Sequence, residues 1–469
     1  MLCAIVRYRV IAALIMLMSI ILIVTGSVWK SDIFGIYVLA VGMFLLIFGV
    51  FIMIKSINTP RNMLGMLLIL FAFSIVTVTI GMNRNHQTVR AWGSNQNDQL
   101  GIGETYSTAY APRTVMNPVP FDQVIAAGDL SYAIDKEGAV WAWGSNEAGA
   151  LGNGTHYDST VPVKVLNLKG VVQVAGNGFG IALNNKKEVW TWGQNDFGQL
   201  GNGTFENNPI PVKVEGLNNI IAIKAKGSYC MALDDSGVVW TWGANYWGQL
   251  GDGTRINRNK PLPVAGLPKV KAISGGVSSS YALDQQGRVW AWGYNYYGAL
   301  GNGTYINVYV PVLSLANDMT SITAGNGMCY ATDKNNIIWG WGFNADGQLG
   351  DGTTIAKNYP VKIDTLQDIK EIATGSSLNL ALDNKGRVWI WGVNYQGSLG
   401  EGQDGRIAYI TPTLFKDVSK VTTLSAGSNN LVIEELPFLP MPVAIIITII
   451  LLTTGILLWF TGKKTVVIF

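Results

Sequence analysis

The sequence predicts an all-β fold, a closed seven-bladed β-propeller of about 50-residue repeats, flanked by transmembrane α-helices, three N-terminal and one C-terminal. Three observations carry that prediction. Trp-Gly recurs at Trp92, Trp143, Trp192, Trp242, Trp292, Trp341 and Trp391, at intervals of 49 to 51 residues, and self-similarity at such a period marks a propeller or solenoid. The array is out of phase at its ends: the first copy opens on its Trp-Gly half, Val89 to Val115, and the last apolar half, Val421 to Glu434, has no Trp-Gly half after it. Long uncharged runs bracket the array on both sides.

The N-terminal region, 1–86, holds three such runs, at 10–29, 34–54 and 63–81. Each is long enough to cross about 30 Å of hydrocarbon. The first is read as an uncleaved anchor, because its apolar stretch exceeds that of a signal peptide. Basic residues set the orientation. Arg7 and Arg9 precede the first run, Lys55 and Arg61 separate the second and third, and Lys463 and Lys464 follow a fourth run at 443–460. All fall on one side if both termini are cytoplasmic, which puts the central segment outside the cell membrane. No ionisable residue interrupts the four runs, so they read as an anchor in the lipid bilayer and not as an ion pathway.

The central segment, 87–434, divides into short strands. In one copy, Ile220 to Ala225 is apolar, Tyr229 to Leu233 follows a Gly, and Asp234-Asp235-Ser236-Gly237 makes a hairpin turn before Val238 to Trp242. Trp240 and Trp242 share a pleat face by the period of two. A Gly-rich loop then leads to a last strand beginning at Pro211-Val212, Pro311-Val312 or Pro360-Val361 in different copies. Proline there suits an outer edge strand. If the orphan halves at the two ends pair, a seventh blade forms from both, no sheet edge is left open, and Gly81 and Pro437 come close together. A solenoid would separate the ends and want polar capping repeats, which are absent from the sequence. The last region, 435–469, breaks at Pro437, Pro440 and Pro442 before the fourth apolar run.

Copies such as Trp242-Gly-Ala-Asn245-Tyr-Trp-Gly248-Gln249-Leu250-Gly251-Asp-Gly253-Thr254 resemble the repeat of the regulator of chromosome condensation family, whose propellers have seven blades. The resemblance covers 87–434. It implies macromolecular binding, since its members include a nuclear guanine-nucleotide exchange factor, ubiquitin-ligase modules and a secreted bacterial β-lactamase inhibitor protein. Where many family repeats carry a His three residues before the strand Ala, this chain has Leu130, Phe179, Tyr229, Ser279, Met328 and Leu378. Roles tied to those histidines do not carry over. The membrane runs have no counterpart in the nuclear factor, so the chain looks like a membrane-anchored, bacterial member.

Composition limits the chemistry. Charged residues are 13% against 49% hydrophobic, which excludes disorder. The segment 87–434 carries 25 Lys/Arg against 28 Asp/Glu, a poor match for a nucleic-acid backbone. Two histidines, His86 and His156, and three cysteines, Cys3, Cys230 and Cys329, supply no catalytic constellation, metal site or cofactor site. Cys230 and Cys329 hold equivalent places in copies two apart, so both are expected free and buried. The Gly-x-Gly-Thr loops at Gly152, Gly201, Gly251 and Gly301 lack the Lys of a phosphate loop and read as turns. The Asn of Trp-Gly-x-Asn, seven times repeated, reads as an Asx turn or a left-handed residue closing a loop. Asn153, Asn202 and Asn302 match the glycosylation triplet, but the triplet is that turn itself.

One feature is unequal among copies. The two positions after Trp-Gly-x-Asn are aromatic in consecutive copies, with Phe197, then Tyr246 and Trp247, then Tyr296 and Tyr297, and Tyr305 stands in the following loop. These rings either form a binding rim, as in interface hot spots and carbohydrate platforms, or pack against the neighbouring blade. The expected function is an extracytoplasmic adaptor that binds a protein through propeller loops without catalysis. The alternatives are a surface lectin or glycan-acting enzyme, which would show an acid pair in a central cleft, and intracellular guanine-nucleotide exchange.

Overall fold

Seven four-stranded antiparallel sheets make up the computed structural model, which describes residues 87–435 apart from 106, 377 and 403–406. Blades I to VI run consecutively: Phe121–Lys164, Val171–Lys213, Ile220–Pro263, Val270–Leu313, Met319–Lys362 and Ile369–Phe415. In each, strands a to d lie side by side in chain order. Blade VII is assembled from both ends of the array. Strands a and b are Val421–Ala426 and Asn429–Glu435, and strands c and d are Gln87–Ser94 and Thr108–Thr114. Seven consecutive pairs join them, from Gln87 opposite Glu435 to Gly93 opposite Asn429. The ring is closed by strand pairing, as the complementary half-repeats require. No α-helix occurs among the described residues, and none there is long and apolar enough to cross a membrane. The runs at 10–29, 34–54, 63–81 and 443–460, with Gly81 and Pro437, lie outside the described residues.

Burial follows strand position. Strand b is buried along nearly its whole length in every blade, whereas strand d alternates half-buried and exposed residues. Strands a line a central cavity of about 470 Å³. The outer strand begins earlier than the sequence suggests, at Asn208, Val308 and Lys357. Its proline falls instead where the register slips, between Asn208 and Val212, Val308 and Val312, and Lys357 and Val361. A bulge tolerates a residue without an N–H, so Pro211, Pro311 and Pro360 cost the ladder no hydrogen bond.

The repeated tryptophan is an inter-blade staple. Trp242 of blade III is fully buried among Phe179, Leu183, Leu200 and Val214 of blade II, and Trp240 lies against the same cluster. Its indole N–H donates to the Gln199 carbonyl at 2.9 Å. The same bond runs from Trp143 to Gln99, Trp292 to Gln249, Trp341 to Ala299 and, closing the ring, Trp92 of blade VII to Ser398 of blade VI. Gly201, at φ +64°, lies under the ring, where a Cβ would come within 2.7 Å of the indole nitrogen. The Gln-Leu-Gly of one copy thus exists to receive the tryptophan of the next.

The b–c hairpin has its own organiser. Asp234 Oδ1 accepts the N–H groups of Ser236 and Val238, and Oδ2 accepts the Trp240 indole at 3.1 Å. Burial works against ionisation there, but these hydrogen bonds outweigh it and hold the carboxyl below its usual range. Asp284, Asp333 and Asp383 repeat the arrangement. Cys230 and Cys329 are free and buried.

Candidate functional site

Alternating strand direction assigns the loops to two faces. The a–b and c–d connections share one face, and the b–c hairpins and blade-to-blade connections share the other. Gln87 and Glu435, opposite each other at the outset of strand c and the finish of strand b, sit on the second face.

On the first face each c–d loop is held from inside by its Asn. Asn245 is fully buried. Its Oδ1 accepts the Leu250 N–H at 3.0 Å, and its Nδ2 donates to the carbonyls of Thr254 and Ile256 and to Asp252. None of the seven equivalent asparagines has a positive φ. The residue closes the loop, but through bonds reaching five to eleven positions ahead and not as an Asx turn or left-handed residue. Asn202 and its counterparts Asn153 and Asn302 are engaged by the N–H and hydroxyl of the Thr two residues on, in keeping with their reading as turns. Where Asp replaces that Asn, a cation appears six residues later: Arg258 meets Asp252 at 2.8 Å and Lys357 meets Asp351 at 3.6 Å.

Loops held this rigidly present their outer residues in fixed positions. Of the six residues singled out from sequence, the structure brings four together. Tyr246 packs edge-on against Trp247 with ring centroids 5.1 Å apart, and Tyr296 does the same against Tyr297 at 5.1 Å. Two residues not foreseen bridge the pairs into one ladder. Tyr294 of blade IV lies 4.9 Å from Trp247 of blade III, and Phe343 of blade V lies 4.8 Å from Tyr297. Both occupy the x of Trp-Gly-x-Asn, which is aromatic only in these two copies. Scanning that position as well would have found them. Phe197 and Tyr305 are 40% and 52% exposed on the same face but touch no aromatic ring among the described residues.

The rings combine exposure with packing against the neighbouring blade. Tyr246 and Tyr296 are more than 60% exposed. Trp247 is half-buried, and with Tyr297 it reaches across to the next blade. Between the rings opens a cavity of about 230 Å³, walled by Trp247, Tyr294, Tyr297 and Phe343, with Ser278 and Asn326 beside them. Burial, then the nearby hydroxyls of Tyr297 and Tyr296, raise the Tyr294 phenol, so it stays a protonated donor at neutral pH. On blades I and II the same face carries a cleft lined by Asp129, Glu147 and Asp196 and by no Lys or Arg.

The central cavity is of another kind. Lys226 reaches across it from blade III, donating to the Thr374 carbonyl at 2.8 Å and to its hydroxyl at 3.0 Å. Burial, followed by the charge of Lys224, brings its ammonium down to about 8. Among the described lining residues Glu371 is the single carboxylate. The acid pair expected of a glycan-cleaving site is therefore not found in the described wall of this cavity. No cluster of potential metal ligands occurs among the described residues.

Adjacent positions in one loop should respond oppositely to truncation. Asn245→Ala orphans the buried Leu250 N–H and removes the donor to the Thr254 and Ile256 carbonyls, at about 1–3 kcal/mol for each group left without water, and should lower the denaturation midpoint clearly. Tyr246→Ala removes an exposed ring and should stay within about 0.5 kcal/mol of the parent. Equilibrium denaturation of the two variants checks the pair, and equal effects would contradict the loop architecture described.

Comparison with known proteins agrees with this architecture. The family model described as RCC1-like domain matches residues 88–433. The chain is 38% identical over 88 residues to the Homo sapiens protein named Probable E3 ubiquitin-protein ligase HERC3, covering 18% of this chain and 8% of that one. It is 34% identical over 99 residues to the Homo sapiens Regulator of chromosome condensation, covering 20% and 24%. The aligned stretches thus span less than a quarter of either relative. Among solved structures, Prp20p from Saccharomyces cerevisiae superposes with a TM-score of 0.67 at 23% identity, over 77% of this chain and 93% of that one. With the family model covering nearly the whole ring, the chain belongs to the RCC1-like domain family.

Proposed function

We propose that the protein is a membrane-anchored adaptor whose propeller lies outside the cell membrane and binds a protein partner, without catalysis, through the aromatic ladder on its loop face. The observation that carries this reading is the ladder itself: exposed and half-exposed rings from three adjacent blades, held by buried asparagines. Large, rigid aromatics on a preorganised surface are what interface hot spots consist of. Prp20p, of like fold, is described by its binding to Gsp1p and histones, which fits a fold that works by binding proteins. The location rests on the distribution of Lys and Arg around the four apolar runs, and a bacterial origin belongs to the same reading. A surface lectin would use the same rings. Intracellular nucleotide exchange would need the opposite topology.

A membrane-impermeant cross-linker applied to intact cells expressing the full chain tests location and binding together. The expected result is a specific protein adduct that disappears when Tyr246 and Tyr296 are both changed to Ala. An adduct formed only after the membrane is opened would reverse the topology, and an adduct indifferent to both changes would remove the ladder from the interface.

A further inference from the structure

We propose that the cavity within the aromatic ladder receives a proline-rich segment of the partner in the polyproline II conformation, with a Lys or Arg of that segment over the acidic cleft on blades I and II. The proposal rests on the adaptor reading and names the chemistry of what that adaptor binds.

The walls and the free polar groups of the cavity make the case. Twelve of the fourteen described tryptophans donate their indole N–H to a protein acceptor. Trp247, at the cavity wall, donates its indole N–H to no described residue. The hydroxyls of Tyr294, Tyr297 and Ser278 and the amide of Asn326 likewise have no hydrogen-bond partner among the described residues. The cavity is therefore a set of aromatic faces bordered by polar groups without a protein partner, with no charged side chain in its lining. Gly327 adds to it, since a Cβ there would meet only the Cβ of Phe343, at 3.5 Å.

A polyproline II segment is the complement of such a surface. It has no internal hydrogen bonds, so every carbonyl projects outward and wants a donor, and its proline positions offer no N–H in return. Its pyrrolidine rings pack on aromatic faces, and because the helix is already extended, little conformational entropy is lost on docking. A sugar fits less well. It would bring no cation to the acidic cleft beside the ladder, and no carboxylate lines the cavity to take its hydroxyls. The acidic cleft then supplies the complement to a cation. Asp129, Glu147 and Asp196 line it without a neutralising Lys or Arg, and Ser228 at its border belongs to blade III, as Trp247 does. Charge at a rim adds orientation and association rate more than affinity.

The test uses the full chain in detergent micelles and fluorescence anisotropy of a labelled oligoproline ending in arginines. Saturable binding is expected, with the counterpart in which every Pro is Ala bound at least about 30-fold more weakly. Trp247→Phe, which keeps a ring and removes the donor, should weaken binding about tenfold. Tyr296→Ala, at an exposed position, should weaken it without moving the denaturation midpoint, so a folding defect is not mistaken for lost contact. Asp196→Asn should slow association and reduce its salt dependence. Equal binding of the alanine counterpart, displacement by a neutral oligosaccharide or by choline, or no saturable binding would each overturn the proposal. A chain that still cross-links its partner through Tyr246 and Tyr296 while ignoring every proline peptide would leave the adaptor reading standing and this inference refuted.

Discussion

Deleting Val421 to Glu434 should destroy the single cooperative unfolding of the propeller and leave an aggregating species. The excised stretch supplies strands a and nearly all of b of blade VII, and strand c then keeps Thr108–Thr114 as its sole neighbour. The loss removes Val421, Leu424, Ala426, Leu431, Val432 and Ile433, all buried, at roughly 1.5–3 kcal/mol for each larger side chain. That sum, on the order of 10 kcal/mol, equals the whole stability of a typical domain. The damage reaches both neighbouring blades. Leu431 and Ile433 belong to the cluster that holds Trp143 of blade I, and Val421, Leu424 and Val432 to the one that holds Trp92 against blade VI. Asn429 also donates to Gln99 and Ser131, and Asn430 to Ser398. Denaturant profiles read by two probes, with sedimentation of the native sample, check this. A truncated chain that melts as late and as sharply as the parent would mean the ring does not depend on its closing strands. Restoration by the excised segment added as a peptide would instead locate the defect in the open edge.

Much of the ring is legible in the sequence because a repeat presents the same evidence seven times. Closure follows from phase alone, since Val89 to Val115 lacks the strands that Val421 to Glu434 provides. The outer strand is misplaced by three residues because proline marks the bulge and not the start, a distinction that depends on the partner strand. The reason for the invariant tryptophan is hidden for a related cause. Its acceptor, such as Gln199 for Trp242, lies one repeat earlier, and period-two patterning reports which side of a strand is buried but not what covers it. In the candidate site, Tyr246, Trp247, Tyr296 and Tyr297 stand out as departures from the repeat. Tyr294 and Phe343 depart as well, at a position where Ser, Gln, Ala and Val in other copies make it look like filler. Only contact across blades shows that they join the two pairs into one ladder.

Trp242→Ala should be the most damaging single substitution in blade III, with a loss of about 3–5 kcal/mol. Three costs coincide there. A fully buried ring leaves a void among Phe179, Leu183, Leu200 and Val214, the Gln199 carbonyl loses its indole donor and keeps only the weak Cys230 thiol at 3.4 Å, and Gly201, whose left-handed backbone fits under the ring, loses its packing partner. Trp242→Phe separates these costs. It retains most of the volume and forfeits the indole hydrogen bond, leaving the Gln199 carbonyl to the Cys230 thiol, so about 1–3 kcal/mol is expected for the weakened hydrogen bonding and the incomplete fill. The effect should also be local. Amide exchange should accelerate first around Leu200, Val214 and Ile220, at the boundary of blades II and III, while blades V and VI, which share no side chain with that cluster, keep their protection at low denaturant. Uniform loss of protection around the ring would mean that the blades unfold as one unit and that each staple stabilises the whole. An unchanged midpoint in Trp242→Ala would leave the repeated Trp-Gly without the structural role assigned to it, and would require that another contact, absent from the clusters between blades II and III, hold them together.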